Sequence, residues 1–239
     1  MNSTAGLHGL HISQQFNADL EEVRKHMLEM GGKVEKQLAE ALDALINADS
    51  GKASDVIKED DVIDSMEMKI DEECNLIIAL RQPAASDLRL VLAIIKAIRD
   101  LERIADESAK IAKAAIKVSE QGRLPSGIVE FRRLGHFVQR ALNQSLDAFV
   151  RHDAEAALQV AQEDQNVDSE YATAMRAMIT YISNEPDSLS FMLNVLWALR
   201  AMERIGDHAK NICEHVVYMV VGTDIRHENL DDIVDRLSG

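Results

Sequence analysis

Displaced by 104 residues and laid on itself, the chain matches Leu42–Ser65 to Leu146–Ser169 at ten of 24 positions. The matches are the Leu-Asp-Ala triplets at 42–44 and 146–148, Asp49/Asp153, Ala53/Ala157, Val56/Val160, Glu59/Glu163, Asp60/Asp164, Asp64/Asp168 and Ser65/Ser169. A displacement of 101 then lays Arg99–Lys113 over Arg200–Glu214, with Arg, Glu, Arg, Ile, Asp and a later Ile in common. The three-residue change falls in the proline-containing connections. A repeat at this spacing means one structural unit used twice. The chain divides into a tail, 1–13, two units, 14–121 and 122–222, and a polar tail, 223–239.

Each unit is helical. Pro83, Pro125 and Pro186 sit in small or polar clusters and end helices. Two further breaks fall before Gly51 and at Arg151–Asp153, where Asp49 or Ser50 and Asp153 are placed to cap a following helix. Six long helices are predicted, over 14–48, 52–80, 85–120, 126–151, 154–183 and 187–221, each with apolar residues at steps of three and four. Short connections make neighbours antiparallel. The fold class is all-α, a tandem pair of three-helix bundles related by a pseudo-twofold. A short helix with a loose end is expected in the polar tail. Met27, Met30, Met66, Met68, Met175, Met178, Met192 and Met202 recur at helical spacing and are expected to fill the core.

Charge narrows the function. The chain of 239 residues carries 41 Asp and Glu against 26 Lys and Arg, a formal charge of −15. Binding to nucleic acid depends on Lys and Arg displacing phosphate counterions, so nucleic acid is excluded as a partner, anions in general are disfavoured, and cations are favoured. Cys74 and Cys213 lie far apart without metal-ligand spacing, as in a reducing cytoplasm. No apolar run approaches a membrane span and no signal segment opens the chain, so a soluble, cytoplasmic protein is expected.

The repeated acids carry the most chemistry. Asp60/Asp64 and Asp164/Asp168 lie on the second helix of each unit, Glu102/Asp106 and Glu203/Asp207 on the third. Residues four apart share a helix face, and like charges there cost about 0.2–0.5 kcal/mol per pair. Folded as antiparallel hairpins, the first set is symmetric about Pro83 and the second about the Glu185–Pro186 bond. Asp64 then meets Glu102 and Asp60 meets Asp106; Asp168 meets Glu203 and Asp164 meets Asp207. Four carboxylates at one level make an oxygen-rich site suited to a divalent metal ion, Mg²⁺, Mn²⁺, iron or Zn²⁺. The competing reading pairs the acids with Arg99, Arg103, Arg200 and Arg204, each placed three residues before one of them. Gly206 stands where the first unit has Ala105, and its small size would admit a close neighbour. His208 and His215 have no counterpart in the first unit and are expected to be solvated.

No E-x-x-H pair, nucleotide-cradling glycine loop or nucleophile elbow occurs, so no catalytic or organic-cofactor residues are assigned and an enzyme is not expected.

The doubled E-R-I-x-D (Glu102–Asp106, Glu203–Asp207), the D-x-x-x-D pairs, HISQQFNADLEEVR with MGGKVE, and RQPAASDLRLV together resemble the PhoU family over 11–239. The resemblance implies two symmetric three-helix bundles whose acid motifs bind metal ions, at the eight positions named. It also implies a cytoplasmic, often dimeric regulator that represses the phosphate-starvation regulon when phosphate is plentiful and restrains uptake. Such a regulator couples the Pst phosphate ABC transporter, through its ATPase component, to a PhoR-type sensor histidine kinase, and meets the membrane only through these partners. Ala105 against Gly206 and Glu107 against His208 leave open whether both sites bind equally. The alternatives are a metal-binding or metal-storage bundle and a structural coiled-coil linker. The missing E-x-x-H counts against the first and the matched acid levels against the second.

Overall fold

Each unit opens with the same turn. In the computed structural model, which describes residues 4–121, 129–226 and 233 (backbone only for 4–14 and 121), α1 (Thr4–Asn47) ends where Ala48 takes φ 54°. Asp49 N–H then donates to Ala44 O at 2.8 Å and Ala48 N–H to Leu45 O at 3.4 Å. This double bond satisfies the last carbonyls of a helix through one left-handed residue. Asp49 at once caps α2 (Ser50–Arg81) by accepting from Lys52 N–H at 3.0 Å. In the second unit α4 (Val129–Arg151) ends with His152 at φ 53°, Asp153 N–H donates to Ala148 O, and Asp153 caps α5 (Ala154–Asn184) at Ala156 N–H, 2.9 Å. Both hairpins therefore fold locally, from the matched Leu-Asp-Ala and Asp.

Proline placement holds as well. Pro83 lies in the break between α2 and α3 (Ala85–Gln121), and Pro186 starts a single 3₁₀ turn, Pro186–Ser188, ahead of α6 (Leu189–Val221). Pro125 and the proposed short helix of the polar tail lie outside the described residues, except that Ile225 and Ile233 are buried. The helix start at 14 is corrected: α1 begins at Thr4, because no proline interrupts 4–13 and Gly6 and Gly9 each cost only about 1 kcal/mol in a helix. Met27, Met30, Met178, Met192 and Met202 are in the core as expected, while Met68 is exposed.

The helices form two three-helix bundles, α1–α2–α3 and α4–α5–α6, joined along α3 against α6 and along α1 against α4. The second seam is symmetric. A Cβ on Gly31 would stand 3.0 Å from Leu146, and one on its repeat counterpart Gly135 would stand 3.4 Å from Leu42, the counterpart of Leu146. Each glycine accepts a leucine of the other unit at close range.

The α3–α6 seam is apolar with charged insertions. α3 buries Ala93, Ala97, Ala105, Ala109, Ala112 and Ala115, small side chains that let the helices around it approach. Within it, Asp100 accepts from His208 Nδ1 (2.8 Å), Asn211 Nδ2 (3.0 Å) and His215 Nε2 (2.8 Å). His215 is 7% exposed, which corrects the expectation of solvated histidines: both face an acid whose repeat counterpart, Ala201, could not have signalled it. Burial alone would raise the Asp100 pKa, but the bonds from His208, His215 and Asn211 outweigh it and hold the carboxyl at about 2. Glu107, also buried, is shared by Lys110 (2.9 Å) and Arg204 (2.8 Å). Removing one partner of such a network strands the others. Asp100→Ala should cost about 2–4 kcal/mol, read as a melting temperature lower by roughly 5–15 °C; an unchanged melting temperature would show that the seam does not depend on it.

Candidate functional site

α2 shows how acids enter a core-facing stripe. Its buried residues recur every seven: Val56, Ile63, Ile70 and Ile77 form one row, and Ala53 and Cys74 lie on the other. Between Ala53 and Cys74 the heptad places Asp60 and Glu67. In α5 the rows are Val160, Val167, Ala174 and Ala157, Asp164, Tyr171, Met178, so Asp164 and Tyr171 take the same places. A polar residue in such a seam costs stability, and it places a carboxylate beside the facing helix.

The carboxylates feel that placement. Burial pushes the Asp60 carboxyl above the ordinary range, with Asp106 and Asp64 adding to it. Burial likewise raises Glu102, with Asp106, Glu67 and Asp64 adding and Arg103 opposing. In the second unit burial raises Asp207, helped by Asp164 and Asp168, and raises Glu203, helped by Asp207 and Asp168 against Arg200. Asp60 with Asp106, Asp64 with Glu102, Asp164 with Asp207 and Asp168 with Glu203 thus lie within electrostatic reach of each other across the hairpins.

Their present partners are local. Gln37 Nε2 donates to Asp60 (3.3 Å); Arg103 pairs with Glu102 (3.3 Å) and Asp106 (3.5 Å); Arg200 pairs with Glu203 (2.6 Å); Lys210 reaches from α6 to Asp164 (3.0 Å). Two of the four expected arginine pairs therefore form, while Arg204 turns to Glu107. Among the described residues no three His, Cys, Asp or Glu side chains are gathered closely enough to hold an ion as they stand. The donor chemistry nonetheless fits one. Glu203 Oε2 is buried without a hydrogen-bond partner, which costs free energy unless a donor or cation answers it. Beside it, a Cβ on Gly206 would strike Val167 at 2.9 Å and approach Asp164 at 3.6 Å, so glycine keeps this cradle open.

Three participants escaped the sequence. Glu67, raised by burial with Asp71 and Asp64 adding and Arg99 and Arg103 opposing, is a fifth acid of the first set. Its counterpart is Tyr171, so repeat matching passed over it, although the heptad through Ala53, Asp60 and Cys74 would have found it. Lys210 faces the second set where the first has Ala109, and Gln37 faces the first from α1.

Raised carboxyls keep protons in the folded chain that the unfolded chain has lost. Folding is then favoured on the acid side, and stability falls as pH rises through the raised values. Asp100 acts oppositely, its contribution being lost as pH falls toward 2. In chelator, the melting temperature should decline as pH rises from the ordinary carboxylate range through the raised values, and Asp60→Asn with Glu102→Gln, Glu203→Gln and Asp207→Asn should flatten that decline; an unchanged slope would refute it. Completing the α2 heptad by Asp60→Leu and Glu67→Leu should stabilise the metal-free chain by about 1 kcal/mol per position in urea unfolding, and a loss of stability would show that the acids are already well accommodated.

Comparison with known proteins agrees with the fold and the repeat. The PhoU domain model matches residues 27–115 and 131–216, one segment in each unit. The chain is 57% identical over 220 residues to the phosphate-specific transport system accessory protein PhoU homolog of Pseudomonas aeruginosa, covering 92% of this chain and 91% of the relative. It is 43% identical over 229 residues to the phosphate-specific transport system accessory protein PhoU of Escherichia coli (strain K12), covering 96% and 95%. The crystal structure of PhoU from Pseudomonas aeruginosa superimposes with a TM-score of 0.84 at 56% identity, over 87% of this chain and 100% of that one. That of the phosphate transport system regulatory protein PhoU from Streptococcus pneumoniae gives 0.80 at 30% identity, over 87% and 98%. The chain belongs to the PhoU family.

Proposed function

We propose that the chain is a regulatory adaptor of phosphate uptake, not an enzyme. It represses the phosphate-starvation regulon and restrains uptake by coupling the ATPase component of a Pst-type phosphate transporter to a PhoR-type sensor histidine kinase. The observation that carries this is similarity over nearly the whole length to phosphate-specific transport system accessory proteins. Among the described residues no helix is long and apolar enough to cross a membrane, in keeping with a cytoplasmic protein that reaches the bilayer through its partners. It acts as a homodimer.

Each acid set takes a divalent cation, Mg²⁺, Mn²⁺, iron or Zn²⁺. Asp60, Asp64, Glu102 and Asp106 hold it in the first unit, and Asp164, Asp168, Glu203 and Asp207 in the second. A bound cation supplies positive charge between facing carboxylates. The side chains do the rest: Glu203 Oε2 gains a partner, and Gln37 and Lys210 hold Asp60 and Asp164 in place. A metal-storage protein is the second reading, favoured only by the acid sets.

Two measurements separate these roles. Deleting the gene in its host should switch starvation genes on in high phosphate, and normal repression would overturn the adaptor role. Elemental analysis of untagged protein dialysed against Mn²⁺ should find metal, lost with the fold retained when Glu102→Gln, Asp106→Asn, Glu203→Gln and Asp207→Asn are combined. A metal-free wild type would remove the cation from the proposal.

A further inference from the structure

The two ends of the α3–α6 seam correspond under the repeat but are not alike. One is closed, by Asp100 with His208, Asn211 and His215 and by Lys96 over the Tyr218 ring at 4.7 Å. The other is open. There a groove of about 460 Å³ runs between the C-terminal half of α3 and the N-terminal half of α6, lined by Lys110, Lys113, Lys117, Arg200, Arg204 and Trp197. Among its described lining residues Glu107 is the one carboxylate, and Lys110 and Arg204 already share it. Lys117 pairs with Glu120 (3.2 Å) and Arg200 with Glu203 (2.6 Å), acids outside the lining, and Lys113 acts electrostatically on Asp60. Five cations thus gather in one groove of a chain whose net charge is −15.

An apolar edge runs beside them. Leu189, Leu193 and Trp197 follow at four-residue steps on one face of α6 and are 49%, 47% and 71% exposed. Exposed aromatic and aliphatic anchors beside a groove lined by five cations and one carboxylate are what a docking surface presents: the apolar groups supply affinity and the cations supply approach and register. Helical spacing of the anchors fits a partner helix laid along the groove.

We propose that this groove docks an acidic amphipathic helix of a protein partner, with its apolar face on Leu189, Leu193 and Trp197 and its carboxylates on Lys110, Lys113, Lys117 and Arg200. Charge complementarity selects this occupant. A bilayer is flat where this surface is concave, and an anionic lipid face would repel the acidic remainder of the chain. A second copy seated here would join different surfaces of the two molecules, a contact that propagates instead of closing. The inference deepens the adaptor role by naming the surface and chemistry through which a partner is held.

Trp197 is the sole tryptophan, so its emission reports on this groove alone. The full chain is titrated with a synthetic peptide of about six helical turns, leucines on one face and glutamates on the other, and with a scrambled peptide of the same composition. A saturable blue shift with the amphipathic peptide is expected, its Kd weakened about tenfold or more by Lys113→Glu with Lys117→Glu at unchanged helicity, and weakened by added salt. Equal binding of the scrambled peptide would overturn the proposal. So would a shift with phosphatidylglycerol vesicles and none with peptide, or emission that follows protein concentration as sedimentation shows growing multimers. No arm depends on metal content or on gene repression, so failure here leaves the adaptor role standing, and failure of the deletion test leaves this result interpretable.

Discussion

α3 and α6 are buried on two sides, once against their own bundle and once against each other. Little of either helix remains free to carry charge, and what does is confined to strips beside α2 and α5 or to the seam. On the strips, like charges from facing helices are brought to one level by the length of the hairpin connections. At the closed end of the seam charge is matched in full, Asp100 by two histidines and an amide. The acid sets and the closed network are two answers to one packing constraint.

The acid sets carry an electrostatic cost that the fold does not remove. Asp60, Glu102, Glu203 and Asp207 all sit above the ordinary carboxylate range, burial being the first cause in each. A chain selected for stability alone would complete the α2 heptad with leucine. Its retention of Asp60 and Glu67 fits a site whose stability comes from what it binds. The two sets are also unequal: the first has five acids, with Lys113 acting on Asp60 without a direct ion pair, and the second has four acids, with the Lys210 ammonium bonded to Asp164.

Much of this was legible because the signals were local or doubled. Asp49 and Asp153 cap their helices, Pro83 and Pro186 break theirs, and the spacing about them brings the named acids level. What escaped was what the repeat does not double. Asp100 stands against Ala201, Glu67 against Tyr171 and Lys210 against Ala109, so comparison of the halves treated each as noise. α1 starts at Thr4, ahead of the expected 14, in a stretch where no proline marks a boundary. Net charge does not report distribution: an average of −15 conceals a groove with five cations drawn from helices that are separate in sequence.

Gly31 receives Leu146 and Gly135 receives Leu42, so the halves of this chain hold each other as the two subunits of an isologous dimer do, by giving and taking the same side chain. In a dimer of identical chains, any change to such a surface happens twice. Covalent linkage lifts that restriction. One half can then lose an acid to a tyrosine or gain a histidine while the other keeps its original residue, which is how a single molecule comes to have one sealed end and one cationic end on the same axis.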